Sequence, residues 1–190
     1  MRIRIYIEAE VIPLLYRHRI LSLIKEALSK SDSNYKEFLY NGKIAKPFTF
    51  NLVPPASKEL KEVDIKIDDR FSIKDKAFYS NGSYFNLFVS SIDYRFIISL
   101  FNGLKRLKTF DFSFNESMLV DGKKVIFNIK NVAVLNERPI TKDSIIMKTN
   151  SPILIEDKED NPVLFTDENF EKELNEVTDR ILASPHIKGK

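Results

Sequence analysis

The stretch "RIRIYIEAEVIPLLYRHRILSLIKEALSK", residues 2–30, holds two periodicities in succession. Ile3, Ile5, Ile7, Ala9 and Val11 alternate with Arg2, Arg4, Tyr6, Glu8 and Glu10. A period of two puts one apolar and one polar face on an extended chain, so a strand is predicted over 2–12. Pro13 ends it, because proline supplies no backbone donor. From residue 18 the period lengthens. Ile20, Leu23, Ile24, Ala27 and Leu28 follow the i, i+3, i+4, i+7, i+8 stripe of an amphipathic helix over 18–30. His18, Ser22, Lys25 and Ser29 take the opposite face.

The segments that follow extend this alternation. "SDSNYKEFLY" (31–40) predicts a short second helix capped by Asp32 or Ser33, and Asn41-Gly42 signals a turn. Residues 47–53 read as a strand closed by Pro54-Pro55. Two strand-like runs over 71–89 flank "SNGS" (80–83), which predicts a hairpin. A further helix is expected over 92–102, with Ser90 and Asp93 at capping-box spacing and Gly103 as its stop. Strands return over 109–135, where Phe110, Phe112 and Phe114 alternate with polar residues and Asp121-Gly122 makes a turn. Beyond "TNSP" (149–152), Thr166 or Asp167 would cap a last helix presenting Phe170, Leu174, Val177 and Ile181. The order fits an α+β chain built on a ferredoxin-like β-α-β-β-α-β unit. It places that unit at residues 1–139 and the start of a second, incomplete one at 140–190.

Composition narrows the chemistry. The 190 residues include 15 Phe and 7 Tyr, no Trp and no Cys. Without cysteine there are no disulfides, no thiolate metal sites and no cysteine nucleophile, in keeping with a reducing cytoplasm. No run has the length of a membrane helix, and the alternating N-terminus is unlike a signal peptide. Charge is uneven: residues 1–60 carry ten Lys/Arg against six Asp/Glu, residues 61–150 carry fifteen against eleven, and residues 151–190 carry five against ten. A basic body with an acidic end could attract a polyanion to one region, though such asymmetry is equally an ordinary feature of lysine-rich proteins.

The five glycines form neither a phosphate-binding loop nor a dinucleotide fingerprint, and no G-x-S-x-G elbow occurs. The two histidines, His18 and His186, are far apart, and no carboxylate cluster has metal-ligand spacing, so neither a metal nor a cofactor is expected. The acidic run Glu156 to Asp160 lacks the spacing of a calcium loop. His18 could serve as a general base, but nothing nearby in sequence orients it; a solvated helix-start residue is the plainer account. Lys25, Tyr40, Lys43 and Lys46 remain. If the 40–46 segment folds back on the first helix, these groups converge where a phosphate could be held; on spacing alone, scattered surface lysines and a half-buried tyrosine are the plainer account.

"IPLLYRHRILSLIKEALSK", "YKEFLY", "KPFTFNLV" and "TNSPILI…FEKELNEVTDRIL" resemble, in order and spacing, the CRISPR-associated endoribonucleases that process precursor guide RNA. These are the sixth Cas family of the RAMP superfamily. The resemblance implies two tandem ferredoxin-like domains and metal-independent cleavage of CRISPR repeat RNA by its own 2′-hydroxyl, leaving a 2′,3′-cyclic phosphate and a 5′-hydroxyl. It implies a site of a Tyr on the first helix, a His ending the next helix and a Lys before the Phe-rich strand. Lys46 matches that lysine, Tyr40 stands at the histidine position and Lys25 at the tyrosine position. The family's Gly-rich C-terminal loop is not found in this sequence, so the chain is expected to be part of a longer protein. Arg17, His18, Arg19, Lys43, Lys105 and Arg106 are the expected RNA contacts. Partners implied are repeat RNA and other CRISPR-associated proteins, with a homodimer left open and no membrane. A catalytically weak or inactive RNA-binding subunit of a CRISPR ribonucleoprotein is the alternative, and a ferredoxin-like protein–protein adaptor is the third reading.

Overall fold

Alternation in the first strand fixes a two-layer architecture. In the computed structural model, which describes residues 1–41, 46–67, 71–113, 118–137, 139, 141 and 155–183, Ile3, Ile5 and Ile7 are fully buried while their polar neighbours face away. The elements in order are β1 (Arg2–Glu8), β2 (Val11–Pro13), α1 (Arg17–Ser31), α2 (Ser33–Tyr40), β3 (Phe48–Val53), β4 (Glu59–Ile67), β5 (Phe71–Tyr79) and β6 (Phe85–Ser91). They continue with α3 (Tyr94–Leu107), β7 (Thr109–Asp111), β8 (Met118–Val120), β9 (Ile126–Leu135), β10 (Ile155–Glu156), β11 (Pro162–Val163) and α4 (Phe170–Leu182).

The main sheet has the order β3-β6-β1-β9-β7, and every pair in it is antiparallel. Taking β1, α1, β3, β6, α3 and β9 as the six elements of a ferredoxin unit, the strands lie in the order fourth, first, third, second. The fold is therefore ferredoxin-like, as the sequence predicted, with additions. One is β7, which extends the sheet beyond β9. Another is a second antiparallel sheet of order β2-β5-β4-β8, and a two-stranded sheet of β10 and β11 follows. The 2–12 strand is thus two strands: the chain leaves the main sheet after Glu8, and Val11–Pro13 pairs with β5. Pro13 is tolerated there because β2 is an edge strand.

The predicted 71–89 hairpin does not form. The Ser80–Ser83 turn is real, with Asn81 and Gly82 at φ 48° and 79° and Ser83 N donating to Ser80 O at 3.0 Å. The strands on either side enter different sheets. β5 pairs with β4 over nine residues, and β6 pairs with β1 and β3. The β4–β5 arm is an insertion between the second and third ferredoxin strands.

The helices cover the isoleucine face of the main sheet. α1 buries Ile20, Leu23, Ile24, Ala27 and Leu28, and α3 buries Phe96, Ile97, Leu100 and Leu104. Each large apolar side chain among them contributes roughly 1.5–3 kcal/mol on burial. Asp93, not Ser90, caps α3 by accepting from Arg95 N at 3.0 Å. Gly103 is not a stop: α3 runs on to Leu107, and Gly103 is pressed against the backbone of Ala27 in α1. The last helix begins at Phe170, behind Asn169. Asp167 instead accepts from Leu164 N at 2.8 Å, in the turn before it. Of the predicted apolar face of α4, Ile181 is 47% exposed. No helix among the described residues is long and apolar enough to cross a membrane.

Candidate functional site

Two helices and the entry to β3 bring three side chains together. Lys25 projects from the exposed face of α1, away from the buried Ile20, Leu23, Ile24, Ala27 and Leu28. Tyr40 ends α2, and Lys46 precedes β3. The Lys25 ammonium lies 4.6 Å from the centroid of the Tyr40 ring, and the Lys46 ammonium lies 5.0 Å from it. Both distances are within cation–π range. Lys46 Nζ also donates to Leu39 O at 2.6 Å. Leu39 is in the last turn of α2, where carbonyls lack intrahelical donors and the helix end is negative, so Lys46 caps that helix through its side chain.

The electrostatics of the trio follow from this packing. The Tyr40 hydroxyl is buried and has no hydrogen-bond partner among the described residues. Burial pushes the phenol up to about 12, so it stays protonated at neutral pH. Tyr40 therefore presents its ring, not its hydroxyl. Burial, and next the Lys25 charge, hold the Lys46 ammonium below the ordinary lysine range.

The start of α2 is fixed separately. Asp32 Oδ1 accepts from Tyr35 N at 3.0 Å and caps the helix. Asp32 Oδ2 accepts from Arg95 Nε at 3.0 Å and Nη2 at 2.9 Å. The buried Tyr35 hydroxyl donates to Asp93 Oδ2 at 2.7 Å, and the Arg95 guanidinium lies 4.7 Å from the Tyr35 ring. Two helix starts are thus tied together, and the far end of α2 carries Tyr40.

The other predicted contacts are spread out. Arg17 lies 5.0 Å from the Phe50 ring and is exposed. His18 is exposed at the start of α1, two turns or about 10 Å along the axis from Lys25. Partial burial and then Arg19 hold its imidazole below the usual range. Arg19 is turned inward, against the expectation of a phosphate contact. It is buried and donates to the carbonyls of Phe112 and, at 3.0 Å, Asp111. Lys105 is exposed, 5.6 Å from the Phe101 ring, and Arg106 donates to Lys30 O at 2.8 Å. Lys43 lies outside the described residues. Among the described residues no group of His, Asp and Glu could hold a metal ion.

No protein-family profile matches the chain, and no curated protein matches it. Solved structures do. One, described as "Characterization of a Cas6-related gene from Pyrococcus furiosus", is 20% identical with a TM-score of 0.65, over 96% of this chain and 70% of that one. The fold is that of Cas6 proteins. A second, "CRISPR associated protein Cas6", is 24% identical with a TM-score of 0.57, over the same shares of the two chains. At such identities the likeness concerns the fold.

Within this Cas6-like fold, two features of the site escaped the sequence. The Leu39 carbonyl, as a backbone group, leaves no trace in residue identity. The Asp93–Tyr35 bond spans 58 residues, and its only local sign is an aspartate before a helix.

Proposed function

We propose that this protein is a metal-independent endoribonuclease that cleaves CRISPR repeat RNA. The observation that carries this reading is the packing of Lys25 and Lys46 on the Tyr40 ring, at the positions where the sequence resemblance puts the site. The Cas6-like fold supports it. In the reaction the 2′-hydroxyl passes its proton to solvent water as O2′ attacks the adjacent phosphorus. The bond to O5′ breaks, and O5′ takes a proton back from solvent water, so that no net proton is gained or lost. Lys46 and Lys25 stabilise the charge that builds on the phosphorane oxygens. Tyr40 is a positioning residue, because its hydroxyl is buried and its ring holds the two ammonium groups. The lowered affinity of Lys46 for its proton brings it nearer to acid–base work than an ordinary lysine. Residues 1–139 form the catalytic ferredoxin-like domain in this reading, and 140–190 begin a second one.

The test is incubation with repeat RNA in EDTA and analysis of the product ends. A cyclic phosphate and a 5′-hydroxyl are expected, and Lys46→Ala slows single-turnover cleavage. Intact RNA under all conditions refutes the enzyme. A second reading, an RNA-binding subunit without catalysis, is favoured by the neutral, buried Tyr40 hydroxyl. It predicts tight repeat-RNA binding with no cut.

A further inference from the structure

The turn between β6 and α3 reaches both segments that meet at the site. Ser91 ends β6, and its N–H donates to Met1 O at 3.0 Å, so its backbone is fixed in the main sheet. Asp93 caps α3. Both side chains are buried, where polar groups persist only with their hydrogen bonds made. Ser91 Oγ donates to Pro47 O at 2.5 Å and accepts from Asp93 N at 2.9 Å. Asp93 Oδ2 accepts from the Tyr35 hydroxyl at 2.7 Å. Pro47 follows Lys46 directly in the chain, and Tyr35 shares the short helix α2 with Tyr40.

The first turn of α3 repeats this grip. Arg95 donates to Asp32, the cap of α2, and the Phe96 ring stacks on Phe48 with centroids 4.5 Å apart and planes at 7°. Ser91 and Phe96 thus hold the entry to β3, while Asp93 and Arg95 hold the start of α2. Lys46 Nζ closes the triangle by donating to Leu39 O. The Arg95 side chain is 59% exposed, so its ion pair is screened and contributes little. The buried Ser91 and Asp93 bonds sit in a drier environment and carry more.

We propose that Ser91 and Asp93 are positioning residues for this site: one anchored turn sets Tyr40 against Lys46 by holding α2 and the β3 entry at once. The proposal rests on the endoribonuclease reading above for what the site does, and adds what holds its two halves in register.

The test uses the 190-residue chain and two readouts. The first is the NMR signal of the Lys46 ε-methylene, assigned by its loss in Lys46→Arg. The nearby Tyr40 ring displaces this signal, and Tyr40→Leu gives its undisplaced position. Ser91→Ala and Tyr35→Phe are each expected to shrink the displacement, and Ser91→Thr, which keeps the hydroxyl, to retain it. Val63→Ala, a buried change in the β4–β5 arm, lowers the melting temperature without moving the signal. The second readout is single-turnover cleavage of repeat RNA at saturating protein. Ser91→Ala and Tyr35→Phe lower the rate by about ten- to hundredfold, with RNA affinity unchanged. Tyr35→Phe costs nothing further in a Tyr40→Leu background, nor Ser91→Ala in a Lys46→Ala background, because each acts through the residue already lost. If the Lys46 signal stays fully displaced in both variants, or if their rate losses multiply with those backgrounds, the positioning role is refuted. If the displacement shrinks but the unaltered chain cuts no RNA, the positioning role stands and the enzyme reading falls.

Discussion

A β-carbon placed on Gly103 would lie 1.9 Å from the carbonyl oxygen of Ala27. The two main helices touch backbone to backbone at that point. Gly103→Ala would gain about 1 kcal/mol of helix propensity, yet the overlap with rigid backbone forces α1 and α3 apart. A net loss of about 1–3 kcal/mol is expected, read as a lower urea midpoint.

Tyr40→Phe separates the ring from the hydroxyl. The ring keeps both ammonium contacts, and a buried hydroxyl without a partner among the described residues is removed. Stability is expected to hold or to rise by about 1 kcal/mol, with cleavage retained. Tyr40→Leu should slow cleavage, because the surface that positions the two lysines is gone. Thermal melts and single-turnover rates on the same two variants measure this.

Lys46→Ala removes a phosphate-stabilising charge and the donor to Leu39 O. A rate loss of about 10²–10³ is expected, with a destabilisation of about 1 kcal/mol from the uncapped helix end. Lys46→Arg keeps the charge and should retain more of both. Equal rates in Lys46→Ala and the unaltered protein would remove this residue from the site.

Asp32 gives the pH dependence. The Tyr35 N–H, then Arg95, hold its carboxyl below the usual carboxylate range. Its folded-state affinity for a proton is therefore weaker than in the unfolded chain. The stability it contributes is present above the unfolded value near 3.8 and is lost as pH falls through the lower folded value. Urea midpoints between neutral pH and about pH 2 should fall less steeply in Asp32→Asn than in the unaltered protein.

The ferredoxin core was legible because its signals are local. Alternation over Arg2–Glu8 and the stripe of α1 each fit within a few residues, and burial of one face enforces them. The 71–89 hairpin failed for the converse reason. Asn81 and Gly82 specify a turn, but a turn does not specify which sheet receives each arm. Gly103 shows the same limit, since a glycine that ends a helix and one that admits a neighbouring helix look alike in sequence. At the site, the family resemblance, not spacing, singled out Lys25, Tyr40 and Lys46. The inward turn of Arg19 was hidden, because its acceptors are backbone carbonyls 92 and 93 residues away.

The β4–β5 arm bears on the order of folding. In a plain ferredoxin unit the second and third strands close as neighbours. Here Val53 must find Asn86 across the whole inserted arm. Closure over a longer flexible loop costs more entropy and slows pairing. Zipping β4 onto β5 first shortens the effective loop and brings the ends of β3 and β6 together. The arm is then expected to act as an early-forming nucleus on which the central sheet assembles, with mutations along Val63 and Ile65 slowing folding more than those in β7.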